Sequence, residues 1–214
     1  MVAHWDIVQG TEEWHRIRYR KIGGSTSKGL FVDSDTLLDQ LIGEHLEEFE
    51  LSDGYESADM QRGTELEPVA RQKLVEYTSI PFIECGWLQS DISVLGISPD
   101  GITKDLKFAC EIKCPAPKKH VQSLRGGGIP LDNIHQCVHY FTVIPTLERL
   151  YFESFRPESK FPMFIRSIGR QSVVNLGTKA KPVWKTVNEW AAIARGKAIS
   201  IESSIESEIK RLEF

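Results

Sequence analysis

Hydrophobic and polar positions alternate along this chain with two different periods, and each change of period marks an element. From Phe108 to Cys114 the period is two. Phe108, Cys110, Ile112 and Cys114 fall on one face and Glu111 and Lys113 on the other, as in an extended strand with one buried side. Ile80 to Gln89, Ser93 to Ile97, Leu150 to Phe155 and Met163 to Ile168 read as further strands, bounded by turn residues. Elsewhere apolar residues recur at three-and-four spacing, which predicts helices. One runs from Asp35 to Phe49 through Leu38, Leu41, Ile42 and His45, one from Ser57 to Tyr77 through Met60, Val69, Ala70 and Leu74, and one from Asn133 to Val143. A long one closes the chain at about 182–212, through Trp184, Val187, Trp190, Ala194, Ala198, Ile201, Ile205, Ile209 and Leu212. Short helices are expected from Thr11, an N-cap residue, to Arg20 and from Pro117 to Leu124, the latter followed by a basic glycine loop at Arg125 to Gly128. Pro68 predicts a break or restart in the second long helix, which puts Glu67 at a helix start. Helices flanking a central run of strands predict one mixed α/β domain over 1–214, a central mixed sheet flanked by helices.

Composition narrows the class. A chain of 214 residues, 41% hydrophobic and 26% charged, can bury a full core. No run of about 18 apolar residues and no basic-then-apolar leader stands in it, so the expectation is a cytoplasmic protein with no membrane span. Four cysteines, Cys85, Cys110, Cys114 and Cys137, show no CxxC spacing and suggest reduced thiols. A net charge of −4 speaks against a protein that coats nucleic acid all over; any nucleic-acid site must gather its basic residues in one groove.

The chemistry concentrates between Ser98 and Pro115. Ser98-Pro99-Asp100-Gly101 makes a turn after one strand, and Glu111-Ile112-Lys113 lies in the next, with Glu111 and Lys113 pointing outward roughly 6–7 Å apart. Two carboxylates beside an ammonium suit a hard divalent cation such as Mg²⁺, completed by substrate phosphate and water. Lys113 could orient or deprotonate an attacking water, or steady charge on the phosphate. Nearer the start, Gly23-Gly24-Ser25 runs into a new helical start close to Arg16, Arg18, Arg20 and Lys21, a place where amides and cations can cradle a phosphate. A competing reading pairs Cys110-x3-Cys114 with His135-x3-His139 as a zinc site in a non-catalytic DNA-binding module. An extended strand would hold Cys110 and Cys114 about 13 Å apart, too far to share one zinc.

The order Pro99-Asp100, spacer, Glu111-x-Lys113 is the signature of the PD-(D/E)xK nuclease superfamily, with its restriction-endonuclease-like core. With Glu13-Trp14-His15-Arg16-x-Arg18, Ile22-x-x-Ser25, Gly63-x-x-x-Glu67, Lys113-Cys114-Pro115 and Gln136, the chain resembles the lambda-exonuclease type of phage alkaline exonuclease, the YqaJ-like viral recombinase family. The resemblance implies a Mg²⁺-dependent enzyme, with Mn²⁺ able to substitute and two ions, that degrades one strand of duplex DNA from its 5′ end. It also implies a homotrimer around DNA ends and a phage single-strand annealing protein as partner, in the cytoplasm of a bacterial host. Carried over, Asp100 and Glu111 are metal ligands with the carbonyl of Ile112. Lys113 activates water, Glu67 helps hold the second metal, and Gln136 orients the nucleophile. Arg18 and Ser25 grip the 5′ phosphate, Met60 is the wedge that parts the end base pair, and Ser98 and Arg125 are further DNA contacts. Two positions depart from the family: Arg62 stands where the prototype has a large aromatic, and the loop at Gly126 to Gly128 has an extra glycine. An endonuclease of the same superfamily, of the restriction or junction-resolving kind, would use the same catalytic residues.

Overall fold

The computed structural model describes residues 1–32, 35–51 and 57–212. Strand β1 (Val2–His4) is followed by helices α1 (Glu12–Arg18), α2 (Thr36–Leu46) and α3 (Ala58–Thr78), with a 3₁₀ turn at Ser27–Leu30 between the first two helices. Short strands β2 (Trp87–Gln89), β3 (Gly96–Ile97) and β4 (Gly101–Ile102) lead into β5 (Phe108–Lys113). Helices α4 (Pro117–Gly126) and α5 (Leu131–Val143) come next, then β6 (Arg149–Phe155), β7 (Met163–Gly169), β8 (Val173–Asn175), β9 (Trp184–Thr186) and the closing helix α6 (Val187–Leu212).

The central sheet is mixed and four-stranded, in the order β4-β5-β6-β7. Only the β5–β6 pair is parallel, with Glu111 opposite Phe152, Ile112 opposite Glu153 and Lys113 opposite Ser154. A parallel pair needs a crossover, and α4 and α5 supply it. The sheet is covered on both sides. Ala70 and Leu74 of α3 pack with Phe82, Cys110, Ile112 and Phe155 on one face. On the other lies α5, buried from Ile134 through Val143 apart from Gln136 and backed by α6. Each large side chain sealed in this way contributes about 1.5–3 kcal/mol, so Tyr140, Phe141 and Phe152, all within 1% of full burial, weigh heavily in fixing α5 against β6.

Of the close approaches that require glycine, two lie in the strands around the Asp100 turn. A Cβ on Gly96 would stand 2.0 Å from the Trp87 ring, and one on Gly101 would stand 2.7 Å from Cys110 Sγ. The second contact explains why a glycine follows Asp100: it lets β4 close on β5.

The structure corrects several expectations. Pro68 does not break α3, which runs unbroken for 21 residues from its Ser57 cap. The proline removes one backbone donor but leaves the helix continuous, because Ala70 and Leu74 beyond it are fully buried. The expected helix at Asp35 to Phe49 stops at Leu46. The glycine loop starts later than expected, since α4 extends through Gly126 and ends on Gly127 at φ 66°. Trp184 belongs to β9 rather than to the last helix and is exposed. Of Ile80 to Gln89 only the last three residues form a strand, Ile83 adding a single bridge to Ile102. Among the described residues no helix is long and apolar enough to cross a membrane.

Candidate active site

The alternation of β5 holds. Cys110, Ile112 and Cys114 join the cluster beneath α3, so Glu111 and Lys113 face α5. They are not equally open: Lys113 is half-buried and Glu111 fully buried, a correction to its expected outward placement. Tyr140 is the reason. Its hydroxyl, carried on α5, lies 2.9 Å from Glu111 Oε2 and 3.0 Å from the Cys110 carbonyl, which share its one proton. Glu111 Oε1 lies against the Lys113 ammonium. Asp100, on the turn before β4, accepts the Ile112 amide at 2.7 Å, and its own carbonyl accepts from Arg71 Nη1 at 2.7 Å. These bonds fix both carboxylates relative to one strand.

The electrostatics show a surplus of negative charge. Burial, and then the charge of Glu111, push the Asp100 carboxyl well above the usual carboxylate range, against the pull of Lys113. Burial also raises Glu67, which feels both Glu111 and Lys113 across the gap. Burial disfavours the Lys113 ammonium, but the charges of Glu111 and Asp100 outweigh that and hold it above the ordinary lysine value. Among the described residues no three His, Cys, Asp or Glu side chains converge on one point. The donors that fit a cation are therefore two carboxylates and a backbone carbonyl, Asp100, Glu111 and Ile112, with Glu67 on the facing helix. Fixed acids in excess of nearby cations suit Mg²⁺, which keeps several of its waters.

These residues stand at a cleft of about 700 Å³ lined by Met60, Gly63, Thr64 and Glu67 of α3 on one side and Asp100, Ile112 and Lys113 on the other. Met60 is 60% exposed there, so it is not a core residue. Trp14 also lines the cleft, its indole donating to Ser98 Oγ at 2.8 Å. The Ser98 hydroxyl thus holds a tryptophan. The Arg18 guanidinium lies over the Trp14 ring, 3.8 Å from its centre. Arg18 and Ser25 line a second cavity of about 260 Å³, with His15 and Lys21. The helix start expected after Ser25 is only the four-residue 3₁₀ turn, and the Gly23 amide is taken by Thr26 Oγ1 at 3.1 Å, so the arginine rather than a helix end supplies the charge. Gln136 lies against Gly24, where a Cβ would come within 3.0 Å of its amide, and it is not part of the cleft lining. Arg125 is exposed and lines neither cavity.

Residues missed in sequence include Tyr140 and Arg71. Each follows a motif residue by one helical turn, Gln136 and Glu67 respectively, and that i, i+4 spacing was the available signal. Lys119 and Gln122 of α4 also line the cleft. The zinc reading has no support: His135 Nε2 faces the Leu176 carbonyl at 3.2 Å, His139 Nε2 the Gly96 carbonyl at 3.0 Å, and Cys110 lies under α3.

The fold has solved counterparts. An alkaline exonuclease (LHK-Exo) from Laribacter hongkongensis superposes with a TM-score of 0.75 at 24% identity, over 95% of this chain and 96% of that one. LHK-Exo in complex with dAMP gives 0.76 over the same shares. A phage related exonuclease from Haemophilus somnus 129PT gives 0.55 at 11% identity, over 88% of this chain and 96% of that one. The chain therefore shares the fold of these exonucleases, a mixed α/β domain as expected. Among curated proteins none matches the chain in sequence. The model of the YqaJ-like viral recombinase domain matches residues 13–146, more than half of the chain, which therefore belongs to that family.

Proposed function

We propose that this protein is a Mg²⁺-dependent exonuclease that enters linear duplex DNA at an end and degrades one strand in the 5′-to-3′ direction. The observation that carries the reading is the cleft itself, where Asp100 of the turn before β4 and Lys113 of β5 stand opposite Glu67, with Glu111 buried against Lys113 behind them and the Arg18 cavity beside Trp14. Membership of the viral recombinase family and a fold shared with alkaline exonucleases, one of them solved with dAMP, support it.

Asp100, Glu111 and the Ile112 carbonyl would hold the cation, with Glu67 across the cleft. When bound, it would act as a Lewis acid and lower the pKa of a coordinated water. Lys113, an ammonium between two carboxylates, donates hydrogen bonds to the attacking water or to a phosphate oxygen as charge builds there. Tyr140, pushed up by burial and by the charges of Glu111 and Asp100, stays a phenol and keeps one Glu111 oxygen in place. Arg18 offers a permanently charged fork suited to a terminal phosphate, which bears more charge than an internal diester. Each cut would regenerate a 5′ phosphate for that cavity, giving polarity and forward movement together. A homotrimer around the DNA and a phage single-strand annealing partner complete the proposal, leaving a 3′ overhang for recombination.

The test is digestion of a linear duplex labelled separately at its 5′ and 3′ ends, with Mg²⁺. Release of the 5′ label as mononucleotide with the 3′ label retained is expected, and 5′-phosphorylated ends should be digested about tenfold faster than 5′-hydroxyl ends. Arg18→Ala should remove most of that preference. Cutting of covalently closed circular duplex would instead favour an endonuclease, and release of the 3′ label first would overturn the polarity.

A further inference from the structure

Helix α3 has two unlike halves. Beyond Pro68, Ala70 and Leu74 are fully buried and Val75 packs beside them against Phe82, Cys110, Ile112 and Phe155. Before it, Met60, Thr64 and Glu65 are exposed, and the helix forms a wall of the cleft. Pro68 offers no amide to the Thr64 carbonyl, so the backbone ladder is interrupted between the halves. The apolar packing that fixes the second half therefore does not extend to the first.

Arg62 does what that packing does not. Its Nη1 and Nη2 make two parallel bonds to Glu158, to Oε1 at 3.0 Å and to Oε2 at 2.8 Å. Glu158 sits on the turn between β6 and β7. There Arg156 Nε lies 3.8 Å from Glu158 Oε2, while Arg156 Nη1 donates to the Pro115 carbonyl at 3.1 Å. Pro115 lines the cleft two residues beyond Lys113. A chain of charged groups thus runs from the α3 wall, over the β6–β7 turn, to the end of the strand that carries Glu111 and Lys113.

We propose that Arg62 and Glu158 are positioning residues: their forked ion pair holds the first half of α3, with Met60 and Thr64, at the distance from β5 that a DNA end requires. The proposal rests on the exonuclease reading for what the cleft admits, not for the bracket itself. A single half-exposed ion pair does little for global stability. Its effect here is local, on an element whose opening costs less than unfolding the molecule. The planar guanidinium matters because two parallel bonds fix orientation as well as distance.

The test compares Arg62→Met, Glu158→Gln and the double variant with wild type. Each single variant should raise KM for blunt 5′-phosphorylated duplex about tenfold while leaving kcat within about twofold, and the double variant should be no worse than either single. Hydrogen exchange, which needs no substrate, should show faster exchange at residues 60–66 in all three and unchanged exchange at 70–78. Multiplying KM effects in the double variant, a wild-type KM in the singles, or exchange that rises equally in both halves would overturn the bracket. If the wild type digests no duplex, the exonuclease reading fails and the exchange contrast alone decides.

Discussion

Two glutamates in adjacent strands of the central sheet, on opposite faces, meet opposite fates. Glu111 of β5 and Glu153 of β6 are both fully buried. Glu111 faces α5 and has the Tyr140 hydroxyl on one oxygen and the Lys113 ammonium against the other. Glu153 faces α3, beside Ile112, and neither of its oxygens has a hydrogen-bond partner among the described residues. Burial alone pushes the Glu153 carboxyl up to about 8. The difference teaches that two equally buried carboxyls can differ in their partners, and that where no donor reaches the oxygens burial alone raises the proton affinity. On the α5 face a hydroxyl and an ammonium hold the two oxygens of Glu111. On the α3 face the protein tolerates a protonated acid.

The sharpest way to break the comparison is to remove the partnered side. Glu111→Gln or Lys113→Ala should lower hydrolysis by about 10²–10⁴ or more while the protein still binds duplex ends, as measured by anisotropy with Ca²⁺ in place of Mg²⁺. Near-normal turnover in both variants would mean that the two faces do not differ in function.

Glu153→Gln tests the other face and should be felt in stability rather than in rate. The folded state holds the Glu153 proton more tightly than the unfolded chain, where a glutamate titrates near 4.3, so the wild type loses stability as pH rises from about 4 to about 8. The variant escapes that loss. Its gain should be near zero at pH 4 and on the order of 5 kcal/mol at most at pH 9. Denaturant melts at the two pH values measure it, and an equal gain at both would show that Glu153 is not the titrating group.

A smaller effect is expected from Tyr140→Phe, which keeps the ring and removes only the donor. Glu111 Oε2 and the Cys110 carbonyl lose the one donor they share. The cost should be about 1–3 kcal/mol of stability and a roughly tenfold higher Mg²⁺ requirement in a titration of activity. An unchanged Mg²⁺ titration would remove Tyr140 from the account of how Glu111 is held in place.

How much of this could be read from the sequence depends on the range of the interactions involved. The two-residue alternation of β5 was readable because strand geometry is local, and it separated Glu111 and Lys113 from Cys110 and Ile112 without any knowledge of neighbours. The Asp100 turn was readable for the same reason. The burial of Glu111 was not, because it depends on a hydroxyl 29 residues away on another element. Arg62 has its partner 96 residues away, on a turn with no pattern of its own. Pro68 misled because helix propensity is a local preference and the burial of Ala70 and Leu74 overrides it. Trp184 misled in the opposite way: its spacing continues the stripe of α6, yet it pairs in a hairpin with Asn175.

One side chain of the cleft has a consequence for redox behaviour. Cys114 is half-buried at the cleft, and burial, followed by the charges of Glu153 and Glu67, pushes its thiol up to about 12. Reaction with oxidants and alkylating agents proceeds through the thiolate, which at neutral pH is then more than about a thousandfold scarcer than for an ordinary cysteine near 8.5. Cys85, Cys110 and Cys137 are buried and unpaired as well. The cysteine of this cleft should therefore stay reduced in air without added reductant, and iodoacetamide should label the native form far more slowly than the urea-unfolded chain. Rapid labelling of Cys114 in the native protein, read by peptide mass, would show that the thiol is not suppressed.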